Sequence, residues 1–387
     1  MAGSPELVRG CAQILADAVQ AVGANLARLG DAFPADTTDA GSYPLRPATD
    51  LTPLGGNTGW TTAFWTGELW LSWEQSGDTR FEQAALQHVA SFADRVAADV
   101  DCDHHDLGFL YTLSCVAGWR LTGSDAGRQA ALTAADRLMD RFLEPAGVFQ
   151  AWGDLVDPRQ RGRVIIDSLM NMPLLYWASE QTGDPRFAEA AHRHARRLHE
   201  NIVRPDGSSF HTFYFDPETG AALRGDTAQG YSDHSCWARG QAWGILGFLL
   251  NYSATADPDL LAAARRLAAY FLDHLPGDKV VYWDLSFADG SGQFRDSSAA
   301  AIACCGLLEL ARHGDPDGRY AATVQEIIAS LARSYAPEEP RAGEPLLRHA
   351  VYNLPNGEGV DEGCLWGDYF YLEALTRLSR PDWHPYW

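Results

Sequence analysis

Thr182-Gly183-Asp184-Pro185-Arg186-Phe187-Ala188-Glu189-Ala190-Ala191-His192-Arg193-His194-Ala195-Arg196-Arg197-Leu198 carries a helix together with its start signal. Gly183 suits the left-handed position that ends a preceding helix, and Asp184 before Pro185 caps the next one. Phe187, Ala190, Ala191, His194 and Leu198 then fall at helical spacing on one face, while Glu189, Arg193 and Arg197 fill the other. The same punctuation recurs at Ser76-Gly77-Asp78, Thr122-Gly123-Ser124-Asp125, Ala256-Asp257-Pro258 and Gly314-Asp315-Pro316.

Before each such turn lies a segment rich in Trp, Gly and small residues. Six of these begin near Trp60, Asp106, Ile165, Arg239, Asp296 and Gly367, and five are followed by an Ala-rich amphipathic partner. The sixth, Asp368 to Leu378, lacks a partner downstream, and the N-terminal helix from about Glu6 to Leu29 supplies one. Five hairpins plus one shared between the two ends of the chain close a ring of twelve helices. Periodicity alone also fits an irregular all-helical domain; the repeat count and the small residues of the inner helices favour the toroid. The whole chain, 1–387, reads as a single domain of this kind. His211 to Gly220 and Val280-Val281-Tyr282-Trp283 read as short strands in the longer connections, where function tends to lie.

The bulk numbers agree with one large core: the 387 residues are 46% hydrophobic and 11% aromatic. Acidic residues outnumber basic ones 51 to 30, giving a formal net charge of −21. That balance argues against nucleic acid or an anionic membrane as partner, while a local pocket of Arg and His still permits an acidic small substrate. The seven cysteines form neither a CxxC pair nor a metal-ligand pattern and suit buried free thiols in a reducing compartment. No signal peptide is legible, and no run approaches the roughly 20 apolar residues of a membrane span. The expected location is the cytoplasm. Oligomeric state is not legible.

Two carboxylates stand where apolar helices begin. Asp103-His104-His105-Asp106 precedes Leu107-Gly108-Phe109, and Asp167 sits within Ile165-Ile166-Asp167-Ser168-Leu169-Met170-Asn171. Asp106 fits helix capping as well as catalysis. Asp167 lies inside an apolar run, where burial of a carboxylate is costly and raises its pKa, as a general acid near neutral pH requires. The histidines beside Asp106 are adjacent rather than spaced as ligands, so no metal is expected. No nucleophile elbow, phosphate loop or dinucleotide fingerprint appears in a suitable context, and Cys304 and Cys305 read as core. Of thirteen tryptophans, Trp60, Trp65, Trp70, Trp152, Trp237, Trp243 and Trp366 neighbour glycine or polar residues, as sugar-stacking rings do, and about half of them suit plain packing. Arg239, His211 and Gln229 offer donors for a carboxylate.

In this order, Asn57-Thr58-Gly59-Trp60, Phe64-Trp65-Thr66-Gly67, the Asp103–Phe109 segment, Gln150-Ala151-Trp152-Gly153, Ile165-Ile166-Asp167, His211-Thr212-Phe213-Tyr214-Phe215-Asp216, Trp237-Ala238-Arg239-Gly240-Gln241-Ala242-Trp243-Gly244 and Arg295-Asp296-Ser297-Ser298-Ala299 resemble the unsaturated glucuronyl hydrolases over nearly the whole chain. These are glycoside hydrolases (family 88) with an all-α (α/α)6 barrel. The resemblance implies that Asp167 is the catalytic acid/base and Asp106 its assisting carboxylate. It also implies that Trp60, His105, Trp152, His211, Gln229, Trp237, Arg239 and Trp243 bind substrate. No metal or organic cofactor is implied. The expected reaction releases a non-reducing-end unsaturated glucuronic acid from lyase-generated glycosaminoglycan-type di- and oligosaccharides, by hydration of the C4=C5 enol ether. Unsaturated galacturonyl or rhamnogalacturonyl hydrolysis of pectin fragments is the near alternative; sugar epimerisation and non-catalytic glycan binding are remoter ones. Two departures stand out. Where the family often has Thr-Asp-Gly after the tryptophan, this chain has Thr61-Thr62-Ala63, which predicts a carboxylate missing beside the substrate. The loop Asn353-Leu354-Pro355-Asn356-Gly357-Glu358-Gly359 has no lysine and no serine cluster, which predicts a preference for unsulfated substrates.

Overall fold

Side-chain caps set where several helices of this protein start. In the computed structural model, which describes residues 5–157, 160–315 and 317–387, the side chains of Asp78, Asp184 and Asp257 each accept the N–H two residues on. Ser124, not Asp125, caps the next helix by accepting the Gly127 N–H. Gly77, Gly123 and Gly183 take the left-handed conformation expected of them. Ala256 takes it too, at φ 55°, which costs a non-glycine residue about 1–2 kcal/mol. At the fifth turn Gly314 and Asp315 do not cap directly. The Asp315 carboxylate accepts N–H groups of Tyr320 and Ala321, five and six residues on. Pro316 lies outside the described residues.

The helices, in chain order, are α1 (Pro5–Leu29), α2 (Thr62–Ser76), α3 (Thr79–Ala97), α4 (Leu107–Tyr111), α5 (Ala117–Thr122), α6 (Asp125–Met139), α7 (Met172–Thr182), α8 (Pro185–Asn201), α9 (Ala238–Thr255), α10 (Pro258–Asp273), α11 (Ser297–Arg312), α12 (Arg319–Ser334) and α13 (Leu365–Ser379). A π-helical turn, Thr112–Val116, fuses α4 and α5 into one rod, and a 3₁₀ turn, Ile166–Asn171, leads into α7. Counted as rods, the described residues form twelve helices.

Two kinds of rod alternate. In α9 every residue from Ala238 to Asn251 is buried, and α13 is buried from Leu365 to Arg377. A helix enclosed on all sides must lie inside another layer. In α8, by contrast, only Phe187, Ala190, Ala191, His194, Ala195 and Leu198 are buried, the face read from the sequence plus Ala195. The inner rods pack in a closed circuit: α2 on α4, α4 on α7 and its 3₁₀ lead, that lead on α9, α9 on α11, α11 on α13, and α13 back on α2. Outside them α3, α6, α8, α10 and α12 each pack on inner neighbours, and α1 lies on α13 and α2, closing the ring. This is the (α/α)6 barrel.

Short strands serve the mouth. Antiparallel β1 (Phe142–Leu143) and β2 (Val148–Phe149) pair, as do β6 (Ala350–Asn353) and β7 (Glu358–Glu362). A three-stranded antiparallel sheet joins β3 (Arg163–Ile165), β4 (Thr212–Phe215) and β5 (Ala222–Asp226), with Ile165 opposite Thr212 and Thr212 opposite Asp226. The strand expected at Val280–Trp283 is absent. Only Tyr282 bridges, to Arg295, because Lys279 is left-handed and the chain turns away after Trp283. Inner rods begin at the mouth and end at the opposite, rear face. Their N-terminal ends therefore bring Trp60, Asp106, Asp167, Trp237, Asp296 and Trp366 to one end of the barrel.

Candidate active site

Asp106 immediately precedes α4, yet its side chain caps nothing. Its backbone N–H instead donates to His104 Nδ1 at 3.1 Å, and His104 Nε2 lies 3.1 Å from Asp101 O. The carboxylate is left to His105, whose Nε2 lies 3.2 Å from Oδ1. Burial depresses the His105 pKa to about 4, so the ring is neutral and donates Nε2–H to the carboxylate. For Asp106 burial pushes the carboxyl up, but His105, then His104 and Asn171, outweigh it and hold the group below the ordinary carboxylate range. Asn171 also ties the two catalytic segments together, since its Oδ1 accepts the Phe109 N–H at 2.8 Å. Gly108 permits that approach: a Cβ there would stand 2.2 Å from Asn171 Cα.

Asp167 has the opposite setting. It sits on the 3₁₀ turn between buried Ile166 and buried Ser168, and its Oδ1 has no hydrogen-bond partner. Burial first, then the negative charge of Asp106, hold its carboxyl well above the usual range, against Arg239 and the N–H groups of Asp167 and Ser168. One carboxyl is thus biased toward its ionised form and its neighbour toward its protonated form, which is how two acids divide acid–base work. The sheet positions this turn, since Ile166 N–H donates to His211 O at 3.0 Å.

His211 is buried, and its Nδ1 accepts N–H groups of Ala228 at 2.9 Å and Gln229 at 3.3 Å. Burial, then Arg239, lower its pKa to about 3, so the ring is neutral and its Nε2–H is a donor with no protein partner. Trp60 is partly exposed, donates Nε1–H to the Tyr352 hydroxyl at 3.0 Å and stacks on Trp366 at 5.1 Å. Trp152 is partly exposed as well, with the Arg163 guanidinium 4.2 Å from its ring centre.

Three further candidates are enclosed by protein groups. Arg239 is 1% exposed and its fork is already occupied. Nη1 donates to Asp296 Oδ2 at 3.1 Å and to Val351 O, and Nη2 donates to Gln229 Oε1 and Tyr352 O, both at 2.6 Å. These bonds hold Gln229 and the Tyr352 strand in place beside Arg239. Trp243 is 1% exposed and wedged between Phe109 and Phe370, in the floor of the site. Trp237 is also buried, its ring covered by Arg239 at 4.4 Å and His211 at 4.4 Å. The Thr61-Thr62-Ala63 departure does not reach the substrate either. All three residues are buried, and Thr62 donates to Asn57 Oδ1 at 2.8 Å, an oxygen that also accepts from Arg95 at 3.1 Å. Trp65 and Trp70 are core.

Tyr352 and Asn171 belong to the site and were not singled out from sequence. Tyr352 arrives on β6, from a segment without strand alternation, and Asn171 lay in plain view within the Asp167 segment. Among the described residues no group of three or more His, Cys, Asp or Glu is placed to hold a metal ion.

A closed helical toroid with two unlike carboxyls and an aromatic wall at one mouth defines a glycoside hydrolase. The chain belongs to Glycosyl Hydrolase Family 88, whose pattern matches residues 31–358. It is 46% identical over 379 residues to the unsaturated chondroitin disaccharide hydrolase of Streptococcus pyogenes serotype M1, covering 97% of this chain and 92% of that one. The crystal structure of unsaturated glucuronyl hydrolase from Streptococcus agalactiae is similar with a TM-score of 0.93 at 44% identity, covering 100% of this chain and 95% of the other. An aspartate-to-asparagine mutant of that enzyme, complexed with dGlcA-GalNAc6S, is similar with a TM-score of 0.85 at 41% identity, covering 100% and 97%. Among the described residues no helix is long and apolar enough to cross a membrane.

Proposed function

We propose that Asp167 is the proton donor and Asp106 its ionised partner in the release of non-reducing-end unsaturated glucuronate from glycosaminoglycan-type oligosaccharides. The observation that carries this assignment is the contrast between two neighbouring carboxyls. One is held as carboxylate by His105, while the other keeps an unpartnered oxygen in apolar surroundings. The names of the relatives supply the substrate class, and the positive ends of the inner helices gathered at the mouth suit an anionic sugar in a chain of net charge −21.

The substrate's C4=C5 bond joins the ring oxygen as an enol ether. Protonated Asp167 delivers its proton to C4, and positive charge develops at C5, shared with the ring oxygen and faced by the Asp106 carboxylate. Water adds at C5 and gives its proton to Asp167, restoring the acid. The resulting hemiketal opens to a C5 ketone and frees the C1 carbon as a hemiacetal, which expels the second sugar with its oxygen. One water enters and one alcohol leaves. Trp60 and Trp152 supply stacking faces, and His211 Nε2–H and the free end of Gln229 supply donors. Seven buried free thiols support a reducing, cytoplasmic setting for the reaction.

The conjugated double bond absorbs in the ultraviolet and is lost on hydration, so absorbance against time reads the reaction directly. Asp167→Asn should fold as wild type and lose at least ~10²-fold in rate. Near-native turnover would remove Asp167 from the role. The same assay compares an unsulfated with a 6-sulfated chondroitin disaccharide. The hairpin at the mouth carries Glu358, Asp361 and Glu362 and neither lysine nor arginine, so the unsulfated disaccharide should be turned over faster. Faster hydrolysis of the sulfated one would overturn that preference.

A further inference from the structure

The segment after α13 folds back into the rear end of the barrel. Trp383 Nε1–H and the Tyr386 hydroxyl both donate to Glu74 Oε2, at 3.0 and 2.5 Å, and so anchor the segment to the last turn of α2. Arg312, at the end of α11, donates to Pro381 O at 2.8 Å, and Arg120, in α5, donates to Tyr386 O at 2.9 Å. Trp387 goes furthest in. Its indole lies parallel to Phe370 at 5.8 Å and edge-on to Phe109 at 6.0 Å, and its Nε1–H donates to Glu373 Oε2 at 3.0 Å. Glu373 is fully buried and pairs through its other oxygen with Arg377, which also pairs with Glu309.

The position matters because Phe109 is a single ring thick. The same ring meets Trp60 at 5.8 Å and Trp243 at 5.3 Å, the wall and floor of the proposed catalytic chamber. Behind Trp387 lies a cavity of about 350 Å³ lined by Arg120, Glu180, Arg312 and His384 among others, open to solvent at the rear. Trp387 therefore lines the rear cavity on one hand and packs on the other against Phe109 and Phe370, the rings that touch Trp243. Phe109 is also the residue whose N–H is bound by Asn171, three positions after Asp106.

We propose that Trp387 is a positioning residue for the reaction: a plug that seals the rear of the barrel and holds Phe109, and with it the Asp106–Asn171 junction, in place. No atom of Trp387 touches substrate. The plug acts by excluding water from beneath the chamber, which preserves the apolar surroundings that keep Asp167 protonated, and by fixing the ring that spaces the two catalytic segments. This rests on Asp167 as the acid.

The test uses the full chain with Trp387→Ala, Trp387→Leu and Trp387→Phe, assayed by loss of ultraviolet absorbance across pH. Trp387→Ala should melt cooperatively, lose about tenfold in kcat with KM little changed, and show its alkaline limb moved to lower pH as water reaches the floor. Trp387→Phe keeps the ring stack and loses only the Glu373 bond, so it should retain kcat within about threefold with a native pH profile. Trp387→Leu reads the same effect as alanine with less lost volume. A folded alanine or leucine variant with native kcat and native pH limb overturns the plug. Failure of both to fold overturns it as well, since the residue is then structural only. An Asp167→Asn enzyme with near-native turnover would instead overturn the acid assignment, whatever the Trp387 variants do.

Discussion

Asp106 and Asp167 have the same side chain and adjacent positions in space, and their unlike acidity comes wholly from what surrounds them. Burial raises both. Asp106 escapes that rise because His105 donates to it, while Asp167 has a bare Oδ1 and faces a negative neighbour. The sign of one experiment follows. On the proposal that Asp167 acts while protonated, activity should fall as pH rises through its elevated pKa. Asp106→Asn removes the second cause of that elevation and leaves burial, so the alkaline limb of the residual activity should move to lower pH, alongside a fall in kcat of about 10²-fold. A limb that stays in place or moves upward would show that the two carboxyls are not coupled. Asp106 came with the family resemblance, since alone it fits helix capping equally well, whereas Asp167 was legible as a candidate because a carboxylate inside an apolar run has few structural excuses. The role of Arg239 was not, since its partners Gln229, Asp296 and the carbonyls of Val351 and Tyr352 come from three other stretches of chain. Trp243 shares the composition of a stacking tryptophan and is buried, because glycine neighbours mark close packing as readily as an open cleft.

Among elements, inner helices bear the cost of enclosing polar groups. Glu68 of α2 is buried with Oε1 unpartnered, and Asp368 of the adjoining α13 accepts the Tyr43 hydroxyl and the Leu347 N–H, each at 2.9 Å. Burial raises the Asp368 pKa to about 7 against these donors, and burial plus the Asp368 charge keep Glu68 well above the ordinary range. Carboxyls whose folded pKa exceeds the unfolded value stabilise the fold at low pH. The contribution is full below about pH 4 and is lost as pH rises through the folded value near 7. Glu68→Gln removes one of the two protons the fold must retain. Its melting temperature should fall less than wild type between about pH 5 and 8 and exceed it at pH 8 by about 1–3 °C. A steeper fall, or a lower melting point at pH 8, would refute the pairing. Caps made element starts readable at Asp78, Asp184 and Asp257, because capping is chemistry local in sequence. The π turn at Thr112–Val116 and the β6–β7 hairpin were invisible for the converse reason, being set by inner-rod packing and by the Arg239 bonds to β6.

On the scale of the molecule, the ring closes only because α1 covers the faces that α13 and α2 would otherwise expose. The inference of twelve helices from five complete hairpins rested on that shared sixth pair, and the closure is the part of the fold a repeat count can reach. The seam is stitched as well as packed: Asn25 donates to Glu344 O at 2.9 Å and accepts from Gly343 N–H at 2.5 Å, and Arg28 donates to Tyr43 O at 2.8 Å. Leu15, Val22 and Leu29 of α1 are buried, and at about 1.5–3 kcal/mol each their burial supplies roughly 5–9 kcal/mol. A whole domain is typically stable by about 5–15 kcal/mol, so an eleven-helix remainder would retain little or nothing. We infer that residues 1–387 form one cooperative domain, and that removing residues 1–30 abolishes cooperative unfolding. Calorimetry and limited proteolysis of that truncated chain should find no single transition and early cleavage within α13, whose outer face would lie bare. A truncated chain that melts sharply and still hydrates the unsaturated sugar would mean that the five hairpins hold the barrel by themselves, with α1 only a cover.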